Sequence, residues 1–153
     1  PHRDKEQGTR RTLELVEQSG LAPGMVVVDH LNEVTVDQVD EAGCWMGFSI
    51  YPDTKMDEHR MVAILQRRGL DRVLVNSAAD WGRSDPLKTA KTGAAMLAAG
   101  LSDDDVDRVL WRNPVEFFGQ SGRLMLDGAD GLDDTAGSGE TFEGNSILRG
   151  ARE

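Results

Sequence analysis

The feature that most constrains the fold is a short apolar run, MVVVDH at positions 25–30, which is followed at once by a helical pattern. A run without polar alternation is typical of a strand buried on both faces in a parallel sheet. The same succession recurs twice, so strands are predicted near residues 26–29, 44–50 and 72–76. Because short connections link each strand to a helix, the sequence predicts an α/β fold with three parallel strands side by side.

Helical periodicity and helix-stop residues separate these strands. Helices are predicted over residues 6–18, 34–42, 56–69 and 86–99. A further helix is predicted to begin after Ser102, whose hydroxyl would form a capping box with Asp105. The acidic residues 103–105 are therefore assigned to the positive end of a helix dipole and not to a metal site.

The chain changes character after residue 126. Residues 127–146 are rich in glycine and acid and poor in apolar side chains. We therefore expect residues 1–126 to fold as one unit and residues 127–153 to form an extended or mobile tail with little regular structure. The chain begins at Pro1 without a methionine and enters a helical pattern within a few residues, which is the expected beginning of a fragment.

Charge and composition disfavour several functional classes. The 27 acidic residues outnumber the 17 basic ones, so nucleic acid and anionic lipid are unlikely partners of the chain as a whole. The sequence shows no apolar run near the roughly 20 residues of a membrane-spanning helix and no signal peptide. Its only cysteine, Cys44, is predicted to be a buried free thiol. We expect a soluble protein of the reducing cytoplasm.

Polar residues follow the predicted strands where function is expected. In parallel α/β folds the carboxyl ends of the strands face one common cavity. The first strand ends in Asp29 and His30, and Asp80 follows the third strand. Imidazole nitrogen and carboxylate oxygen from two such strands can share a divalent cation. Spacing leaves open the alternative that His30 and Asp80 only cap a helix and a turn.

A set of four strings, taken in order, resembles a known family. The strings are VDHLNEVTV, CWMGFSIYP, VNSAADWGRSDPL and GLSDDDVDRVLWRNPVEFFGQSGRL. Together they resemble the second half of TatD-like metal-dependent hydrolases of the amidohydrolase superfamily, and NSAADWG resembles the EboC-like branch. The terminal-helix pattern of these families is matched by Asn113, Phe117 and Phe118. The resemblance covers residues 1–124 and implies the C-terminal half of a (β/α)₈ TIM barrel, beginning near the end of strand five.

The resemblance also implies a metal-dependent hydrolase. His30 matches the strand-six metal ligand, and Asp80 matches the strand-eight aspartate that also accepts the proton of the attacking water. His2 lies in a segment that resembles the signature after strand five, although the ligand there could also precede Pro1. The implied cofactor is a divalent ion such as Zn, Mn or Mg, and a metal-bound hydroxide would attack an ester, amide or phosphoester bond of a small-molecule substrate.

Further residues are expected around the same mouth. Glu33, Tyr51, Lys55 and Trp81 could position substrate or orient His30; alternatively, Glu33 favours a helix dipole and Trp81 packs. These four residues and the metal ligands form the predicted site. The third histidine, His59, is not part of it, because His59 is expected on the solvated face of a helix.

Two competing hypotheses remain. A serine hydrolase that uses Ser77 with His30 and Asp80 is disfavoured, since the sequence has no G-x-S-x-G elbow. A half-barrel that binds a ligand or partner without catalysis is the more serious alternative, its metal site being incomplete. In either case the open strand edges predict a partner, which would be an N-terminal half-barrel or another copy of the chain.

Overall fold

The structure, a computed structural model, describes residues 4–52, 56–78 and 85–126. The strands are β1 (Val27–Val28), β2 (Trp45–Ile50) and β3 (Val73–Ser77). They form a parallel sheet in the order β1-β2-β3. The predicted set of three adjacent parallel strands is therefore confirmed, and the fold is mixed α/β.

Helices flank the strands in the predicted alternation. They are α1 (Lys5–Ser19), α2 (Val36–Glu41), α3 (Glu58–Arg68), α4 (Lys88–Ala98), α5 (Asp103–Asp107) and α6 (Asn113–Gly119). A 3₁₀ turn at Pro23–Met25 leads into β1, and a π-helical turn at Arg108–Arg112 joins α5 to α6. Each strand is thus followed by a helix, which is the arrangement of a βα unit.

Helix ends lie where side chains or glycines satisfy free backbone groups. The carboxylate of Asp4 accepts a hydrogen bond from the Gln7 amide at 2.9 Å, and Gly20 ends α1 with φ 73°. Ser102 and Asp105 form the capping box that the sequence predicted at the start of α5.

Among the helices that are shorter than their periodicity predicted, two begin after turns that polar side chains form. The Asn32 side chain accepts from the amides of Val34 and Thr35, so α2 begins at Val36. The Asp85 carboxylate accepts from the Leu87 amide at 2.9 Å in the same way, and α4 begins after it. Local side-chain acceptors compete with the helix at both positions.

The two faces of the sheet have different environments, since successive side chains of a strand alternate between them. One face packs against the helices and supplies much of the hydrophobic core, including Val28, Met46, Phe48, Ile50, Val73 and Val75. By alternation, the opposite face, which we call the inner face, carries Asp29, Trp45, Gly47, Ser49, Leu74 and Asn76. Asp29 and Asn76 on this inner face are exposed.

The last helix is attached to the amino end of the sheet. Asn113 is fully buried, and its amide donates hydrogen bonds to the carbonyls of Leu70 at 2.7 Å and Val73 at 2.9 Å. The rings of Phe117 and Trp45 pack with their centroids 5.4 Å apart. The terminal-helix pattern noted in the sequence therefore ties α6 to β3 and to the inner face of β2.

The buried cysteine and the C-terminal residues were also subjects of sequence predictions. Cys44 is buried as predicted, and burial raises the pKa of its thiol. The proposed tail, residues 127–153, lies outside the described residues. In the part of the chain that is described, no helix is both long enough and apolar enough to cross a bilayer.

Candidate active site at the carboxyl edge of the sheet

Three of the predicted site residues, His30, Glu33 and Tyr51, belong to the described part of the chain. The other four lie outside it: His2, Lys55, Asp80 and Trp81. His59, which was assigned to a solvated helix face, is exposed in the first turn of α3. The structure therefore describes one of the three proposed metal ligands.

His30 follows β1 in an unusual backbone conformation. Its φ is 62°, in the left-handed region, where residues other than glycine are uncommon. Its amide donates to the Asp29 carboxylate at 2.7 Å, and its carbonyl accepts from the Lys5 ammonium at 3.0 Å. The side chain is exposed at the carboxyl edge of the sheet. Strained backbone of this kind concentrates at functional sites, so the geometry supports a functional role for His30.

A cavity of about 250 Å³ opens beside His30. Its polar lining comes from Lys5, His30, Asn32, Ser49, Tyr51 and Arg60. Lys5 belongs to α1, Ser49 to β2 and Arg60 to α3, whereas His30 and Asn32 follow β1. The cavity lies outside the carboxyl ends of the strands, where ligands of parallel α/β sheets usually bind. Its volume is somewhat below that of typical drug-sized pockets.

Tyr51 and Glu33 are placed differently around this cavity. Tyr51 is buried directly after β2, and its amide donates to the Met56 carbonyl at 2.8 Å. Glu33 precedes α2 and accepts from Arg60 through both carboxylate oxygens, at 2.8 and 2.6 Å. The hydrogen bond from Arg60 lowers the pKa of Glu33 against the opposing effect of partial burial. Glu33 thus holds a cavity-lining arginine, a contact that spacing alone did not reveal.

Asp29 is a second polar group at this edge that sequence reasoning did not assign to the site. Its carboxylate accepts from the His30 amide and, at 3.3 Å, from the Ser49 hydroxyl. A Cβ atom at Gly47 would lie 2.9 Å from the Asp29 Cα, so only glycine lets β1 and β2 approach in this way. In the sequence, the glycine inside the predicted second strand was the available sign of this close approach.

Ser77 is engaged in structure and not prepared as a nucleophile. Its hydroxyl donates to the Pro86 carbonyl and accepts from the Thr89 amide, both at 2.9 Å. These bonds join the end of β3 to the start of α4. A serine whose proton is donated to a backbone carbonyl lacks the base that a nucleophile needs, which further disfavours the serine-hydrolase hypothesis.

Paired charges brace the helices next to this edge. Lys88 and Glu58 form an ion pair at 2.8 Å between α4 and α3, and Lys91 and Asp85 form another at 2.6 Å. For both carboxylates burial acts to raise the pKa, but the hydrogen bond from the lysine lowers it, and the net shift is downward. Each of these four charges is therefore compensated by its partner.

Metal-binding capacity can be judged for the described residues only. Among them, no group of three or more histidine, cysteine, aspartate or glutamate side chains could hold a metal ion. A metal site that includes His30 would therefore need ligands from outside the described residues.

Comparisons with known proteins give one distant relative. No protein-family model matches the chain, and no solved structure does. The chain is similar to a protein of Methanocaldococcus jannaschii that is described as an uncharacterized metal-dependent hydrolase. The two are 20% identical over 120 residues, which cover 77% of this chain and 46% of the relative. The chain thus spans about half the length of this curated relative.

Proposed function

We propose that the chain is part of a metal-dependent hydrolase of the TatD-like type and contributes consecutive βα units to a (β/α)₈ barrel. The observation that carries the proposal is the position of His30, exposed beside a cavity at the carboxyl edge of a parallel sheet. Active sites of such barrels lie at this edge. The similarity to a protein described as a metal-dependent hydrolase supports the same conclusion.

The proposed site takes its ligands from three segments. His30, His2 and Asp80 would hold a divalent ion such as Zn, Mn or Mg, and the donor types suit these ions. A bound cation would supply Lewis-acid activation of water and of the scissile bond. Asp80 would accept the proton of the attacking water, since a carboxylate beside a cation stays ionised and can still shuttle a proton.

The cavity suggests how a small-molecule substrate is held. The side-chain amide of Asn32 and the guanidinium of Arg60 line it, and Arg60 is kept in place by Glu33. An ester, amide or phosphoester group offers the acceptors that these donors require. Lys55 and Trp81, which follow the same strand ends in the sequence, are proposed to border the substrate with Tyr51. The proposed compartment is the cytoplasm.

The test uses Asp80→Asn in a protein that contains the whole barrel. Asparagine keeps the shape and one oxygen donor but loses the charge and the basicity, so turnover should fall by about 10²–10⁴ or more. His30→Ala should lower the bound metal measured by elemental analysis, whereas His59→Ala should change neither metal content nor turnover. Near-wild-type turnover of Asp80→Asn, or a wild-type protein without divalent metal, would contradict the proposal.

A second candidate function is a half-barrel that binds a ligand or partner without catalysis. It rests on the expectation from the sequence that this chain carries only part of a metal site. The same metal analysis separates the two functions, because a binding module would hold no stoichiometric metal even when the rest of the barrel is present.

A further inference from the structure

The cavity beside His30 has a basic lining, although the chain as a whole is acidic. The sequence contains 27 acidic residues and 17 basic ones. Of the described residues that line the cavity, Lys5 and Arg60 are cationic, and none is an aspartate or a glutamate. A cleft lined by charges of one sign raises the local concentration of ions of the opposite sign. The lining therefore favours an anionic ligand.

Arg60 is held beside this cavity in a defined orientation. Its Nε and Nη2 atoms donate to the two carboxylate oxygens of Glu33 at 2.8 and 2.6 Å, a bidentate contact that fixes the plane of the guanidinium. The hydrogen bond with Glu33 also raises the pKa of Arg60, so the guanidinium stays charged. The Arg60 side chain is 43% exposed, so a small molecule in the cavity can reach it.

The balance of charge favours an anion with a single charge. Glu33 offsets the charge of Arg60, and Lys5 adds a further positive charge, so these three described side chains together carry one positive charge. A carboxylate carries one negative charge, whereas a phosphate monoester carries about 1.5 to 2 negative charges at pH 7. The planar guanidinium also matches the two oxygens of a carboxylate. A carboxylate is therefore the anion that fits best.

Other lining residues suit the remainder of a small molecule. Leu31 and Met56 are buried and supply apolar wall. The Asn32 side-chain oxygen accepts from the amides of Val34 and Thr35, so its NH₂ group is the part that can donate to a ligand. With a volume of about 250 Å³, the cavity suits a small carboxylic acid.

We propose that the substrate of this site carries a carboxylate group, and that Arg60 selects the substrate by binding this group. The proposal rests on the hydrolase function proposed above and adds the class of substrate, which is a small molecule with a free carboxylate apart from the bond that is cleaved. Arg60 is thus a specificity-determining residue, and Glu33 holds it in position.

The test is an NMR titration of the metal-free, ¹⁵N-labelled 153-residue chain with benzoate and with benzamide, which have nearly the same shape and differ in charge. A chelator removes metal, because a bound cation would itself attract benzoate. At pH 8 and constant ionic strength, benzoate should perturb the backbone amides of Asn32, Ser49 and Arg60. It should bind about three- to tenfold more tightly than benzamide.

Variants show whether Arg60 is responsible for this preference. Arg60→Gln should abolish it, whereas Arg60→Lys, which keeps the charge, should retain more of it than Arg60→Gln. The matched control is Arg67→Gln, which removes the same charge from an arginine of the same helix that pairs with Asp37 and does not line the cavity. Arg67→Gln should leave the preference for benzoate unchanged.

The proposal is overturned if benzoate and benzamide bind equally, if neither binds, if the perturbed amides lie elsewhere, or if Arg60→Gln keeps the preference. Tighter binding of phenyl phosphate than of benzoate would also overturn it, because the site would then favour a phosphoryl group. The hydrolase function fails on a different result, a whole-barrel protein without divalent metal. That result would leave the benzoate preference of the metal-free chain in place, so the two failures are distinguishable.

Discussion

At the scale of single residues, the backbone conformation of His30 lowers stability but places its side chain beside the cavity. A residue other than glycine in the left-handed region carries a local energetic cost of roughly 1–2 kcal/mol. The hydrogen bonds that its backbone makes with Asp29 and Lys5 hold it there. The His30 side chain lines the cavity beside it. Of the three proposed metal ligands, His30 is the one that belongs to the described residues.

We therefore expect His30→Gly to be no less stable than the wild type, because relief of the strained φ offsets the entropy that glycine adds to the unfolded chain. The matched variant His59→Gly, in the first turn of α3, should lose roughly 0.5 kcal/mol. Urea unfolding at equilibrium measures both. A loss at His30 as large as that at His59 would show that the left-handed conformation carries no strain.

At the scale of elements, buried polar groups join the helices to the sheet. The Asn113 side chain satisfies two carbonyls at the start of β3, and Lys88 pairs with Glu58 between α4 and α3. Such contacts connect residues that are 30 or more positions apart in the chain. They fix how neighbouring elements pack and are expected to dominate the response to mutation.

Asn113→Ala should destabilise the protein by about 2–3 kcal/mol, since it leaves two buried carbonyl groups without a donor. Glu116→Ala on the same helix removes only an exposed ion pair and should change stability by about 0.5 kcal/mol or less. Thermal or urea unfolding of both variants is the measurement. Equal effects would contradict the anchoring role of Asn113.

The Glu58–Lys88 pair predicts a specific response to acid. Because the folded pKa of Glu58 is lowered from its ordinary value of 4.5, its stabilising contribution is present above pH 4.5 and is lost as pH falls through the folded pKa. We expect the free energy of unfolding to fall below pH 4.5, and to fall less steeply in Glu58→Gln. Urea unfolding at several pH values measures this; identical slopes for both proteins would refute it.

At the scale of the whole molecule, the sheet has open edges. Within the described residues, β1 and β3 each pair with β2 alone, and the inner face is partly exposed. Proteins normally cover or pair such edges. The proposed barrel would do so with strands from its other half.

We expect the 153-residue chain alone to associate in a concentration-dependent way in sedimentation experiments. Co-expression with a segment corresponding to the rest of the hydrolase relative should give a 1:1 complex with a higher melting temperature, because binding to the folded state stabilises it. A chain that stays monomeric at all concentrations, and that such a segment does not stabilise, would contradict the expectation that the open strand edges are paired.

The sequence by itself determined the order and type of the elements. Apolar runs, helical periodicity and capping residues act within a few positions, so the parallel strands, the capping box at Ser102 and the buried Cys44 could all be predicted. The sequence also predicted that His30 lies at the carboxyl edge of the sheet, because the position of a residue that follows a parallel strand depends only on strand direction.

Only the tertiary structure decided which side chains meet. The approach of Asp29 to Gly47, the use of Ser77 to hold α4, and the pairing of Glu33 with Arg60 all join segments distant in sequence. Their contacts depend on strand register and helix packing, which local patterns do not specify. For the same reason the cavity beside His30 could not be anticipated from the spacing of residues along the chain.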